Sequence, residues 1–87
     1  PYTSFEARVI RVNDRFNLVK IDKGRSDGLK AGQKVDIFSV KPDGTIRESV
    51  ARGRITSLKA QEAAIKIIEY FKEVWIEEGF VVKPPLE

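Results

Sequence analysis

From Phe5 to Val12 the chain alternates, with Phe5, Ala7 and Val9 (and, less clearly, Arg11) on one side and Glu6, Arg8, Ile10 and Val12 on the other. A period of two in a stretch rich in β-branched residues predicts a strand. Asn13-Asp14-Arg15 supplies turn chemistry, because Asn and Asp bond to nearby backbone and tolerate left-handed dihedrals. A second strand is expected from Phe16 to Asp22. Lys34 to Val40 alternates again, with Val35, Ile37 and Ser39 opposite Asp36, Phe38 and Val40, and stops at Lys41-Pro42-Asp43-Gly44. There proline presets the turn and glycine accepts positive φ. The chain should reverse into a strand at Thr45 to Val50 and form another at Gly53 to Leu58, with Gly53 marking a bulge or a bend.

Leu58 to Trp75 carries two patterns at once. Ala60, Ala64, Ile67, Phe71 and Val74 fall at helical spacing among good helix formers, whereas Ala63, Ile65 and Ile67 alternate with Ala64, Lys66 and Ile68. An internal comparison favours the strand. Sliding the chain by 46 positions sets Arg8 to Ile21 over Arg54 to Ile67, and one inserted residue later Leu29 to Val35 lies over Ile76 to Val82. Each half then reads strand, short turn, strand, connection, and x-x-Gly into a further strand. Two such halves can clasp into one barrel, which removes sheet edges that so short a chain cannot otherwise cover. The expected fold is all-β: a small closed or partly open six-stranded barrel with a weak internal two-fold repeat. The alternative is α+β with a helix near Gln61 to Phe71.

The stretch IDKGRSDGLKAGQKVDIF places Gly24, Gly28 and Gly32 at even spacing between two apolar runs. A phosphate cradle would need GxGxxG before a helix, or GxxxxGK followed by Ser or Thr, and neither is present. The expectation is structural: Gly24 ends a strand, Asp27-Gly28 turns, and Leu29 to Gly32 makes one helical turn closed by a glycine cap, with Leu29 plugging the barrel. Gly79 echoes the same turn in the second half.

Eighty-seven residues make one small domain, 1–87, read as a piece of a longer protein with tails at 1–3 and 84–87. The absence of Cys, His and Met removes thiolate and imidazole ligands and the common nucleophile pairs, so no catalytic, cofactor or metal residues are assigned. Asp22, Asp27 and Asp36 lack the order of a calcium loop, and Glu69, Glu73, Glu77 and Glu78 read as solvated charges. Sixteen Lys and Arg against thirteen Asp and Glu give a net charge of +3 with the signs interspersed. Arg8, Arg11, Arg47, Arg52, Arg54 and Lys59 are the candidate basic face for an OB-like nucleic-acid barrel. Such a face also needs aromatic residues for bases to stack on. Here Phe5, Phe16 and Phe38 are expected in the core, and Trp75 and Phe80 against the second glycine turn.

Val19 to Val35 resembles a turn in bacterial envelope families, the β-barrel region of the rod-shape protein MreC and the C-terminal domain of the flagellar protein FlgT. Asp22, Gly24, Asp27, Gly28, Leu29, Gly32 and Val35 occupy matching places, and Gly53-Arg54-Ile55 and Ile76 to Val82 look like later elements of the same layout. Phe80 departs from the polar residue usual there. The resemblance implies a non-enzymatic scaffold, periplasmic or otherwise extracytoplasmic; separately, no apolar run approaches 18 residues, so no direct membrane insertion by this segment is expected. Its strand edges and two glycine turns would offer backbone groups and apolar rims to a protein partner or to another copy.

Overall fold

The structure is a computed structural model that describes residues 5–85. Residues 1–4 and 86–87 lie outside the described residues, and with them the expected tail at 1–3 and the end of that at 84–87; Pro84 is buried. Six strands close into one ring: β1 (Ala7–Asn13), β2 (Leu18–Ile21), β3 (Lys34–Val40), β4 (Ile46–Leu58), β5 (Ala63–Tyr70) and β6 (Val81–Lys83). Their order around the ring is β1-β2-β5-β4-β3-β6, and every neighbouring pair is antiparallel. The all-β, six-stranded expectation holds in its closed form.

Alternation fills the ring. Ala7 and Val9, Val19 and Ile21, Val35 and Ile37, Ile55, Ala63, Ile65 and Ile67, and Val82 are buried in one apolar cluster. Small and β-branched side chains suit so narrow a barrel, whose interior is a packed core and not a pore. The helical alternative fails on burial: of Ala60, Ala64, Ile67, Phe71 and Val74 only Ile67 is buried, whereas Ala63, Ile65 and Ile67 all are. Core contact thus overrides the helix propensity of Gln61 to Phe71.

Two expectations change at the strand level. The strands placed at Thr45 to Val50 and Gly53 to Leu58 are one continuous strand of 13 residues, β4. It stays continuous by bulging, with register shifts against β3 between Ile37 and Val40 and against β5 at Arg52/Gly53 and Ile55/Ser57. Consecutive Val50 and Ala51 are both buried, as a bulge allows, and Gly53 lies at a shift as its sequence position implied. The second correction is Phe16. It ends a short 3-10 turn, Asp14–Phe16, followed by Asn17 in the left-handed region at φ 55°, and β2 begins only at Leu18. The inward residues of β2 are Val19 and Ile21, so Phe16 has the outward parity of Lys20 and is 54% exposed.

The glycine stretch forms two turns, built otherwise than expected. The helical turn falls earlier, at Arg25–Asp27, where the Asp27 carboxylate accepts the Gly24 N–H at 3.0 Å. Arg25 and Ser26 N–H groups then donate to the Lys59 and Ala60 carbonyls at 2.8 and 2.9 Å, laying this turn on the β4–β5 connection. Gly24 is buried there, and a Cβ on it would collide with the Lys59 carbonyl and lie 2.7 Å from the Glu62 backbone. Lys30 to Gln33 is a β-turn, closed by the Gln33 N–H on the Lys30 carbonyl, with Gly32 at φ 84° in the place where a type II turn takes glycine. Glu77 to Phe80 repeats it with Gly79 at φ 97°. Gly32 N–H donates to Ile55 and Ile55 N–H to Gln33; Gly79 N–H donates to Val9 and Val9 N–H to Phe80, all between 2.7 and 2.9 Å. Each turn drops one aliphatic residue, Leu29 or Ile76, into the core.

Gly32→Val places a β-branched residue at positive φ and should cost about 1 to 3 kcal/mol in urea unfolding. Gly24→Ala should cost more than Gly32→Ala, because the 24–28 turn must lift off Lys59 and Ala60.

Candidate interaction surface

β5 ends at Tyr70, and residues 71–80 carry the chain to β6. This crossing is tied down at several points. The Phe71 and Lys72 N–H groups both donate to the Val50 carbonyl, at 2.8 and 3.4 Å, and Gly79 donates to Val9. Lys72 Nζ lies 3.6 Å from Glu48 Oε2, and Ile76 is buried. Between the ties, Val74 and Trp75 are exposed, and Trp75, the chain's single tryptophan, is 75% exposed. Trp75 therefore does not pack on the second glycine turn as expected, although Phe80 does bury.

The surface extends beyond the crossing. Seven large hydrophobic residues are exposed among those described: Ile10, Phe16, Ile68, Tyr70, Phe71, Val74 and Trp75. Phe16 lies beside the end of β5, since Lys66 Nζ donates to the Phe16 carbonyl at 2.9 Å and Tyr70 Oη to Asn17 Oδ1 at 3.3 Å, whereas the Phe71 ring lies 5.6 Å from the Arg52 guanidinium carbon. Two hollows open beside Trp75. One, of about 350 Å³, is lined by Asp14, Tyr70, Val74 and Trp75; the other, of about 650 Å³, by Val40, Pro42, Val50, Trp75 and Phe80. The Tyr70 phenol is raised above its ordinary value, first by partial burial and then by the negative charge of Asp14.

The six cations of the candidate basic face are not brought together. Arg8 and Arg11 are on β1, Arg47, Arg52 and Arg54 on β4, and Lys59 just after β4. β1 and β4 stand three places apart in a ring of six, on opposite sides of the barrel. Several of these groups also have local partners. Arg8 lies 3.5 Å from Glu6, and Arg54 Nη1 donates to the Gly32 carbonyl at 3.1 Å. Arg52 grips Asp36 with both prongs, Nε to Oδ1 at 2.7 Å and Nη2 to Oδ2 at 3.2 Å, while its guanidinium carbon sits 5.6 Å from the centre of the Phe71 ring. Asp36 is the buried charge of the described residues, at 4% exposure. Asp22 and Asp27 likewise accept backbone N–H groups, from Arg8 and Gly24.

Ring closure also revises how a partner would be met. Every strand has two neighbours, so no whole strand edge is left to recruit another strand. Side chains of the exposed apolar ledge are what remains to be offered. Two features of the sequence mark that ledge: the outward parity of Phe16, and the Glu73, Glu77 and Glu78 neighbours of Trp75, which are unusual company for a core residue.

Fold and surface together define a small closed antiparallel barrel with an apolar ledge on one side. In particular, the chain is similar to MreC of Listeria monocytogenes, whose solved structure superposes with a TM-score of 0.56 at 28% identity over 83% of this chain. The match takes in 30% of that chain's length. No protein-family profile and no curated protein matches the sequence.

Arg52→Ala leaves Asp36 buried without its partner and should cost about 3 kcal/mol, the lower end for a broken buried pair because the Arg52 side chain is 32% exposed. Urea unfolding measures it. The raised Tyr70 pKa means that folding favours the protonated phenol. Its contribution to stability is complete below pH 10.0 and is lost as pH climbs through the raised value. In a phenolate absorbance titration the difference between wild type and Tyr70→Phe should have its midpoint above 10.0 and move down in Asp14→Asn.

Proposed function

We propose that this barrel is a non-enzymatic structural and protein-interaction module of a bacterial cell-envelope assembly protein, working outside the cytoplasm. The observation that carries the reading is the likeness to MreC, which at 28% identity over most of this chain extends to sequence as well as fold. The exposed ledge agrees with it. A chain this small gains from burying every large apolar side chain, so a held tryptophan at 75% exposure beside two hollows is a surface suited to a partner.

The barrel presents shape and apolar side chains on a closed frame. The same reading takes the chain as two copies of one strand-and-turn unit, which the like bonding of Gly32 to Ile55 and Gly79 to Val9 supports. No helix among the described residues is long and apolar enough to cross a membrane. The apolar side chains fill the barrel and charged ones stud its outside, the reverse of a lipid-spanning barrel.

Titration with a single-stranded oligonucleotide in rising salt separates this reading from a nucleic-acid barrel. Cations divided between opposite sides should give weak binding with a shallow salt slope. Tight binding with a steep slope would sink the interaction-module reading.

A further inference from the structure

Charge and exposed apolar surface coincide at one place. From Glu69 to Glu78 there are four glutamates and one lysine, a local charge of −3 in a chain whose total is +3, so the remainder carries +6. The same ten residues hold Tyr70, Phe71, Val74 and Trp75, four of the exposed large hydrophobics, and Ile68 lies next to them. Lys72, the lone cation, is engaged with Glu48. Glu73, Glu77 and Glu78 are exposed and form no ion pair among the described residues. The smaller hollow has Asp14 and Glu73 against Lys72 around Trp75, and the larger has Glu48, Glu77 and Glu78 against Lys41 and Arg47, so carboxylates outnumber cations by one in each.

An exposed indole flanked by carboxylates attracts a cation from two directions. The ring face draws it through the quadrupole, most strongly for tryptophan, and the carboxylates through their charge. The hollows are of the size that accepts apolar groups. Phosphate-bearing partners meet repulsion from the same glutamates. The ledge is also held by the Val50 and Val9 carbonyls and by buried Ile76, so little ordering is needed on binding.

We propose that the ledge binds a cationic, apolar peptide segment of a partner protein. A lysine or arginine of that segment sits on Trp75 among Glu73, Glu77 and Glu78, and its apolar neighbours enter the two hollows. This rests on the interaction-module reading and names the chemistry of the partner.

The single tryptophan is the reporter. A hexapeptide alternating arginine and leucine should shift Trp75 emission to the blue and shield it from acrylamide in a saturable way. The same peptide with glutamate for arginine should bind at least about ten-fold more weakly, the effect of opposing like charges. With a fluorescein-labelled peptide followed by anisotropy, the double variant Glu77→Lys and Glu78→Lys should lose about ten-fold in affinity with its circular dichroism unchanged. Trp75→Ala should lose at least as much. Equal binding of both peptides, no saturation, or unchanged affinity in these variants overturns the proposal. So does a peptide-free blue shift that grows with protein concentration together with the sedimenting mass, since the ledge then takes a second copy. If the peptides fail while the oligonucleotide binds weakly, the module reading stands and only its partner chemistry falls. Tight, salt-steep oligonucleotide binding removes both.

Discussion

Everything in this molecule depends on three residues, Val81 to Lys83, that close the ring. β6 pairs with β3 through Phe38↔Val81, Ile37↔Val82 and Asp36↔Lys83, and with β1 through Ala7↔Val82 and Arg8↔Val81. Remove it, and β1 and β3 become open edges along the line where the core meets water. A chain of this size buries only about 60% of the surface it exposes unfolded, so it has little apolar contact in reserve to tolerate such a seam. Val81 and Val82 are fully buried, and the Asp36–Arg52 pair crosses the β3–β4 ladder beside the same seam. Closure and the buried carboxylate of Asp36 therefore sit together.

The ledge is a by-product of the way the seam is reached. β5 and β6 are not neighbours in the ring, and the chain must travel over the surface between them. That path is fixed by hydrogen bonds to β4 at one end and β1 at the other, and by Ile76 sunk into the core. A segment held at both ends and in the middle has few conformations left, and what it carries between the ties is displayed without choice. Trp75 is displayed in this way.

How much of this could be read beforehand depended on the range of the interaction. Lys34 to Val40 was legible to the residue because alternation and a Pro-Asp-Gly turn bound it locally, and the turn at Gly32 was legible in role because few glycine patterns lie between two strands. Phe16 shares the outward parity of Leu18 and Lys20, and its size and apolarity alone suggest the core that the 3-10 turn Asp14–Phe16 keeps it out of. The sequence of β4 reads as two strands because bulges look like breaks when the partner strands are unknown. Pairings such as Asp36 with Arg52, or the separation of Arg8 from Arg54 to opposite sides, follow from the order of strands around the ring. No pattern along a single chain encodes that order.

The pairing of β1 with β6 has one more consequence. Because these strands are adjacent and antiparallel, the chain enters the barrel at Ala7 directly beside the place where it leaves at Val82. Within any longer polypeptide, a unit with neighbouring entry and exit would hang like a pendant on a doubled cord. It would turn as a body without stretching what holds it, and pulling on the two cords together would load the β1–β6 ladder in place of the core.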